Sequence, residues 1–456
     1  MHLVYESALP GLKRVTLEQL SPVEARSLLQ GIAPRVSDDT ADRICFLCGY
    51  LPLAIRAAGS LLDVTADLAP ETYAEQLQDE RRRLELIGAE GVDLGVEASF
   101  GLSYARLTPD AARVFRRLAA FPATFDARAE EAVCEDPDHK HLSELLRRNL
   151  VRYNEETRRY SLHDLARLFA DSRLSDDERH ATRLRHATYF LTVFQKCDEL
   201  YLKGGDAIKS GLAFFDAERQ NIEAGQSWAC QRSSGNEVAA QLCNQYPFAG
   251  VYVLMLRQHP REVISWLEAA LAAARKLKDR ASEEGHSGNW GNAYRGLGET
   301  RRAIELYNQA LVIAREIGDR RGERNALNGL GLAYGQLKEV RRAIEFGEQA
   351  LAVSREIGDR RSEGSALGNL GVAYKRLGET RRAVEFYQQQ LTICREIGDH
   401  HGEGIALSNL GRALDILGER AKAIAHVEAA LEIYEQIESP YAEKARAKLA
   451  EWRGEA

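Results

Sequence analysis

Residues 317–321 read Ile-Gly-Asp-Arg-Arg, and the phrase returns at 357–361 and, as Ile-Gly-Asp-His-His, at 397–401, a period of 40 residues. Between these marks Ala326-Leu327, Ala366-Leu367 and Ala406-Leu407 each precede a Leu-Gly pair. A fixed period of this size permits few folds. One such unit cannot bury its own apolar face, so copies must stack into a continuous core. Each unit reads as two helices. Leu367, Leu370 and Tyr374 lie on one helical face, and Gly378 closes that helix. Ala383, Phe386, Tyr387 and Leu391 form the face of the second, Gly398 ends it, and Asp399 caps the helix that follows. Gly371 and Ala383 let two backbones approach while Leu370, Tyr374 and Tyr387 fill the remaining space.

The copies are Trp290-Gly291-Tyr294-Gly298-Ala303-Tyr307-Ala310, Leu330-Gly331-Tyr334-Ala343-Ala350, Leu370-Gly371-Tyr374-Gly378-Ala383-Tyr387 and Leu410-Gly411-Gly418-Ala423-Ala430. This pattern resembles the tetratricopeptide repeat, with a longer second helix and no terminal proline. The resemblance covers 284–440 as four repeats, and Ser439-Pro440 opens a last helix, to Trp452, that caps the stack within 441–456. It implies an α-solenoid whose first helices line a concave groove. Asn289, Asn369 and Asn409 hold one position in three copies; in the second, Gly329 stands there and Asn328 precedes it. Asn292, Arg295, Asn325, Lys375, Arg376 and Arg412 belong on or near the same surface. Amides in such a series suit the backbone of an extended peptide, and the basic residues favour a carboxylate-bearing partner. The plainer alternative is a solvated polar helix face.

The rest of the chain reads as mainly helical. The formal net charge of -7 gives no overall field toward nucleic acid or an anionic membrane. The longest apolar run, Phe248 to Leu256, is far short of a membrane span, and no signal peptide is recognisable. Seven scattered cysteines suit reduced thiols in a cytoplasmic protein.

Ser21, Pro22 and Glu24 predict a capped helix start, Asp38 or Asp39 starts a helix running to Cys48, and Pro52 begins another that runs to Leu62. Leu51-Pro52-Leu53 resembles the GLPL motif of NB-ARC proteins, the STAND class of signalling NTPases, with Tyr50 where the family usually has glycine. Leu102-Ser103-Tyr104, Phe115 to Pro122, and Leu145 to Val151 resemble the segments that follow, and Leu162-His163-Asp164 is similar to the family's MHD motif. The resemblance implies an ARC-like helical domain over 1–95, a winged helix over 96–174 and a helical arm with degenerate repeats over 175–283; the residues themselves read as a hairpin in which Val151-Arg152-Tyr153 and Arg159-Tyr160-Ser161 flank Asn154-Glu155-Glu156-Thr157. In the family the histidine meets the β-phosphate of ADP and the proline packs near the adenine. Those roles pass to His163 and Pro52; a histidine that caps its own helix is the alternative for His163.

No G-x-x-x-x-G-K-[ST] occurs, so the sequence lacks a phosphate-cradling loop. Leu3-Val4-Tyr5-Glu6 stands where the family's late core strand would be. The expectation is therefore the C-terminal part of a bacterial STAND protein, whether truncated or naturally short. It has no cofactor and no ATP hydrolysis of its own; ADP or ATP with Mg belongs to a full-length parent. Cys45-Phe46-Leu47-Cys48 is a single pair on an apolar helix, and His139 and His141 near Cys134 read as a polar loop, so neither predicts a metal.

Three functions remain. The first is a sensor that binds a protein or peptide in the groove and relays it to an ADP-sensing winged helix, with the missing NTPase or effector segment as a further partner. The second is a stand-alone scaffold for protein–protein interaction. The third is a winged-helix transcription regulator. Residues 97–174 hold 13 Lys plus Arg against 13 Asp plus Glu, a weak footprint for duplex binding that leaves Arg113, Arg116 and Arg117 as its one local patch.

Overall fold

The computed structural model describes residues 19–86, 94–437 and 439–454. The sequence reading of residues 3–6 lies outside them. The chain forms two compact units, 1–229 and 230–456, and the division falls inside one helix.

The first unit opens with α1 (Pro22–Ile32), α2 (Asp38–Leu47), α3 (Pro52–Val64), α4 (Pro70–Leu86) and α5 (Leu94–Ala105), which pack on one another. Ser21 and Glu24 form a reciprocal capping box at the start of α1, as the sequence predicts. Gly49 and Tyr50, with φ of 64° and 57°, turn the chain from α2 into α3, and Pro52 takes the first helical position. A tyrosine in that left-handed turn costs roughly 1–2 kcal/mol that glycine would not. Arg35 closes the end of α3 by donating to the carbonyls of Leu62, Thr65, Ala66 and Leu68.

Three short helices follow, α6 (Pro109–Arg117), α7 (Ala127–Cys134) and α8 (Lys140–Arg147), then a hairpin of β1 (Arg152–Asn154) and β2 (Arg159–Ser161). Tyr153 pairs with Tyr160 in antiparallel register, and Tyr160 also bridges Phe125 on its other side. The unit continues through α9 (Asp164–Ser172), α10 (Asp176–Leu202) and α11 (Asp206–Arg232). Phe121 stacks on Phe125 at 4.3 Å between ring centres and meets the edge of Phe190. Arg159 ties the hairpin to α11 through Glu218 at 2.6 Å, and Asn221 donates to the Thr124 carbonyl.

The second unit contains α12 (Glu237–Ala249), α13 (Val251–Arg257) and α14 (Pro260–Leu277), then the periodic pairs: α15 (Arg280–Gly296) with α16 (Thr300–Ile317), α17 (Arg320–Gln336) with α18 (Val340–Glu356), α19 (Arg360–Leu377) with α20 (Thr380–Ile397), and α21 (His400–Ile416) with α22 (Arg420–Gln436). The last helix, α23 (Tyr441–Arg453), packs on α22 and buries Ala445, Leu449 and Trp452. The unit is a tetratricopeptide-type α-solenoid, as the period requires.

The repeated phrase has a local cause. Gly318, Gly358 and Gly398 sit at φ of 73°, 67° and 69°, where the second helix of each pair ends. Asp279, Asp319, Asp359 and Asp399 then cap the next helix by accepting from its first backbone N–H groups. The arginine after the aspartate serves an ion-pair clasp. Glu283, Glu323 and Glu363 are nearly buried, and each accepts from the preceding helix (Arg275, Arg315, Arg355, all at 2.8 Å). Each also accepts from its own Arg280, Arg320 or Arg360, which reaches on to Glu316, Glu356 or Glu396. In the fourth copy His400 replaces the arginine, and Glu403 keeps Arg395 at 2.7 Å.

Candidate functional site

Helices α15, α17, α19 and α21, the first of each pair, carry the residues that the sequence marks for a groove. Asn289, Asn292, Arg295, Asn328, Asn369, Lys375 and Asn409 are half-buried, and Asn325, Arg376 and Arg412 are exposed. Their tasks differ. The Tyr307 hydroxyl donates to Asn292 Oδ1 at 2.8 Å and accepts from Arg295 Nε at 3.3 Å, so these two side chains seat a buried ring. Asn369 Nδ2 donates to Asn328 Oδ1 at 3.0 Å and thereby joins neighbouring repeats. Asn325 Oδ1 accepts from Arg324. Glycine breaks the asparagine series at 329 for a steric reason: a Cβ there would stand 2.6 Å from the Tyr307 ring.

The basic residues are placed otherwise. Burial holds the Lys375 ammonium below its ordinary pKa, and Arg412 and Arg376 add to the shift, which marks three cations crowded on one face. Arg376 Nη1 donates to the Gly335 carbonyl at 2.9 Å and Arg412 to Ser408 Oγ at 3.2 Å. Among the described residues, no ion pair includes Arg295, Lys375, Arg376 or Arg412, although the clasp arginines are all paired with carboxylates. Asp415, which occupies on α21 the position of Lys375 on α19, is taken up by Arg420.

Among the cavities of the described array, two are bordered by the residues marked in sequence, while a third, of about 330 Å³, lies by Arg275, Glu283, Asn308 and Val312. One of the two, of about 190 Å³, lies among α17, α18 and α19 and is bordered by Arg295, Asn328, Gly347, Asn369, Leu370 and Arg376. The other, of about 510 Å³, lies among α21, α22 and α23 and is bordered by Asn409, Arg412, Tyr434, Tyr441, Lys444 and Lys448. Arg295, Asn328, Asn369 and Arg376 thus converge on one cavity, and Asn409 and Arg412 on the other; Asn289, Asn292, Asn325 and Lys375 border neither. The sequence reading overlooked Gly347, Lys444 and Lys448. The two lysines lie on the capping helix, outside the repeat register.

In the first unit Pro52 is half-buried at the start of α3. His163 is the N-cap of α9, with its Nδ1 accepting from the Leu165 N–H at 3.3 Å. Burial, reinforced by Arg152, holds its pKa below the ordinary histidine value and favours the neutral ring. With Nδ1 accepting, the neutral ring carries its proton on Nε2 and offers one N–H donor. The arginines considered for a duplex are engaged within the fold: Arg113 with Asp110, Arg116 with Glu178, Arg117 with Glu135. His139 meets the buried Glu130 at 2.8 Å, and burial raises the Glu130 carboxyl to about 7. Among the described residues, no cluster of three or more His, Cys, Asp or Glu has the arrangement of a metal site. Cys45 and Cys48 are buried thiols whose pKa burial pushes up to about 12. Among the described residues, no helix is long and apolar enough to cross a membrane.

A tetratricopeptide-repeat family model matches residues 282–356 and 362–436. The chain is 37% identical over 183 residues to the regulatory protein AfsR of Streptomyces griseus, and 36% over 178 residues to AfsR of Streptomyces coelicolor. Each match takes in 38% of this chain and 18% of the relative, so the chain spans under one fifth of those proteins. Among solved structures it is similar to PH0952 of Pyrococcus horikoshii, a Signal Transduction ATPase with Numerous Domains that carries a tetratricopeptide-repeat sensor. That likeness has 16% identity and a TM-score of 0.49, over 95% of this chain and 63% of that one. BtubC of P. vanneervenii aligns at 21% identity and a TM-score of 0.42, over 47% of this chain and 90% of that one.

Proposed function

We propose that this chain is the sensor and regulatory portion of a STAND-class signalling protein, whose C-terminal part it resembles. Its tetratricopeptide repeats bind a protein or peptide on the first-helix face, and the N-terminal unit relays occupancy through the region about His163. The relay is a shift in population between a closed, ADP-held arrangement and an open one, which requires the ligand to prefer the open form. The AfsR relatives, which match part of the chain, are named as regulatory proteins, in keeping with this reading.

The observation that carries the binding half is the contrast in charge bookkeeping along the array. The clasp arginines are matched by nearly buried carboxylates, and the first-helix face holds Arg295, Lys375, Arg376 and Arg412 outside every ion pair of the described residues. Crowded cations cost free energy unless an anionic partner offsets them. An acidic peptide is that partner. The proposed phosphate contact of His163 uses its Nε2–H, and Pro52 packs against the base; the chain itself performs no turnover.

Calorimetric titration of the full chain with acidic peptides selected from a random library tests the face. Binding is expected to weaken with salt and to be lost in the double variant Arg376→Glu, Arg412→Glu. Affinity that both salt and the variant leave unchanged contradicts it. Fluorescence titration with ADP, compared between wild type and His163→Ala, tests the relay, and equal affinity removes His163 from it.

A further inference from the structure

In register, residues 307, 347, 387 and 427 are Tyr, Gly, Tyr and Val. Tyr307 is 1% exposed, and its ring lies against Gly291 and Gly329, where an added Cβ would come within 2.7 and 2.6 Å of it. Tyr387 does the same at Gly371, where that distance is 2.5 Å. The second repeat has the receiving glycine without the ring. A Cβ on Gly331 would meet nothing nearer than the Ala343 carbonyl oxygen at 3.5 Å, and the next neighbour is the backbone of Gly347. The cavity of about 190 Å³ borders both Gly331 and Gly347, and the Leu370 side chain leans toward the empty Cβ position of residue 347. The larger cavity likewise adjoins the other repeat without a tyrosine, where Val427 lines it.

We propose that the Gly347 cavity receives an aromatic side chain of the partner peptide, and that Arg376 and Arg295 hold a neighbouring carboxylate of the same peptide. The inference rests on the peptide-binding reading above and adds the identity of one anchoring residue. Shape argues for a ring, since the flanking repeats fill the equivalent space with one. Leu370, which leans toward that space, holds the register position of Leu330 and Leu410 in the neighbouring repeats, so the same leucine accompanies the ring there. Leu370 and Ala343 supply apolar walls, and the Asn328–Asn369 pair supplies an amide edge for a hydroxyl or a backbone group. Charge argues for the carboxylate. Both arginines border the cavity outside every ion pair of the described residues, and Arg376 spends one N–H on the Gly335 carbonyl and keeps its other donors. A buried ring with a charged neighbour at the rim is the usual composition of an interface hot spot.

The full chain and its Gly347→Tyr variant are each used to select from a phage-displayed library of random peptides, and selected peptides are titrated by calorimetry. Wild type is expected to enrich peptides with an aromatic residue beside Asp or Glu, and changing that aromatic to Ala is expected to weaken binding roughly tenfold or more. Gly347→Tyr is expected to keep the acidic preference and lose the aromatic one. Acidic peptides without aromatic enrichment, or aromatic enrichment that survives Gly347→Tyr, overturn the cavity proposal and leave the peptide face standing. Selection of no peptide overturns both. Self-association of wild type that Gly347→Tyr abolishes assigns the cavity to a second copy and also overturns the proposal. The added tyrosine must displace Leu370, whose Cδ2 lies 2.9 Å from the new Cβ, so the fold of the variant is checked by circular dichroism. Arg376→Glu, at an exposed position, is the companion variant: it is expected to keep the aromatic preference and reject acidic neighbours, and an unchanged selection contradicts the proposal.

Discussion

In the N-terminal unit Arg35 gathers four carbonyl oxygens in a single arrangement, and Arg159, Glu218 and Asn221 hold the hairpin in another. In the array Glu283, Glu323 and Glu363 repeat one clasp three times, and four aspartates repeat one cap. A unit of singular joints concentrates the effect of a mutation. A unit of repeated joints spreads it, because each repeat mainly touches its neighbours and stability approximates a sum of local terms.

The largest expected effect is therefore in the first unit. Phe121→Ala removes a fully packed ring from the cluster with Phe125, Phe190 and His186, and is expected to cost that unit about 3–5 kcal/mol in denaturant unfolding. A cost below about 1 kcal/mol would mean the aromatic cluster is not its core.

A sharper comparison sits within the array. Gly371→Ala drives a Cβ into the Tyr387 ring and is expected to cost about 1–3 kcal/mol. Gly331→Ala, at the same position one repeat earlier, meets only ordinary contacts and is expected to gain about 0.5–1 kcal/mol from helix propensity. Equal melting shifts in the two variants would deny that the repeats differ in packing.

The clasps predict a smaller effect. Burial opposes the Glu363 charge, yet hydrogen bonds from Arg355 and Arg360 outweigh it and hold the carboxyl below its ordinary value of 4.5. A lowered acid stabilises the fold above its unfolded pKa and loses that contribution as pH falls through the folded one. Glu363→Gln is expected to cost about 1–2 kcal/mol at pH 7, since its arginines are half-exposed, and progressively less as pH falls below 4.5. Glu403→Gln, which breaks a single arginine contact, should cost less. Larger loss at 403 than at 363 would reverse the proposed order.

The last effect runs the other way with pH. Glu284 is raised to about 7 by burial, with Asp319 adding to it. A raised acid gives stability that is present below its unfolded pKa and fades as pH climbs toward the folded value. Glu284→Gln is therefore expected to raise the array's melting midpoint at pH 8 and to leave it nearly unchanged at pH 4. A gain that is the same at both values would place the effect elsewhere.

The same contrast explains what could be read from residues alone. Redundancy made the solenoid legible: Gly318, Gly358 and Gly398 announce each turn, and Asp319, Asp359 and Asp399 announce each cap. The capping box at Ser21 and the hairpin about Asn154 were legible for a different reason, because local hydrogen bonds and turn chemistry decide them. The division at 229–230 was hidden because it falls within the continuous helix α11. Asn292 and Asn369 look alike in sequence, yet one seats Tyr307 and the other joins two repeats, a distinction set by which side chains stand opposite. The cavity at Gly347 was written in the register of 307, 347, 387 and 427, but it becomes visible only when the columns are compared for a missing side chain.

Hydrogen exchange of the full chain, with and without a saturating acidic peptide selected on it, tests the central claim most directly. The account predicts new protection in α17 and α19, extending to neighbouring first helices, and none around Cys45, Cys48 or the β1–β2 hairpin through direct contact. Protection confined to the second helices α16, α18, α20 and α22, or to the N-terminal unit, would show that binding occurs on a different face and contradict the account.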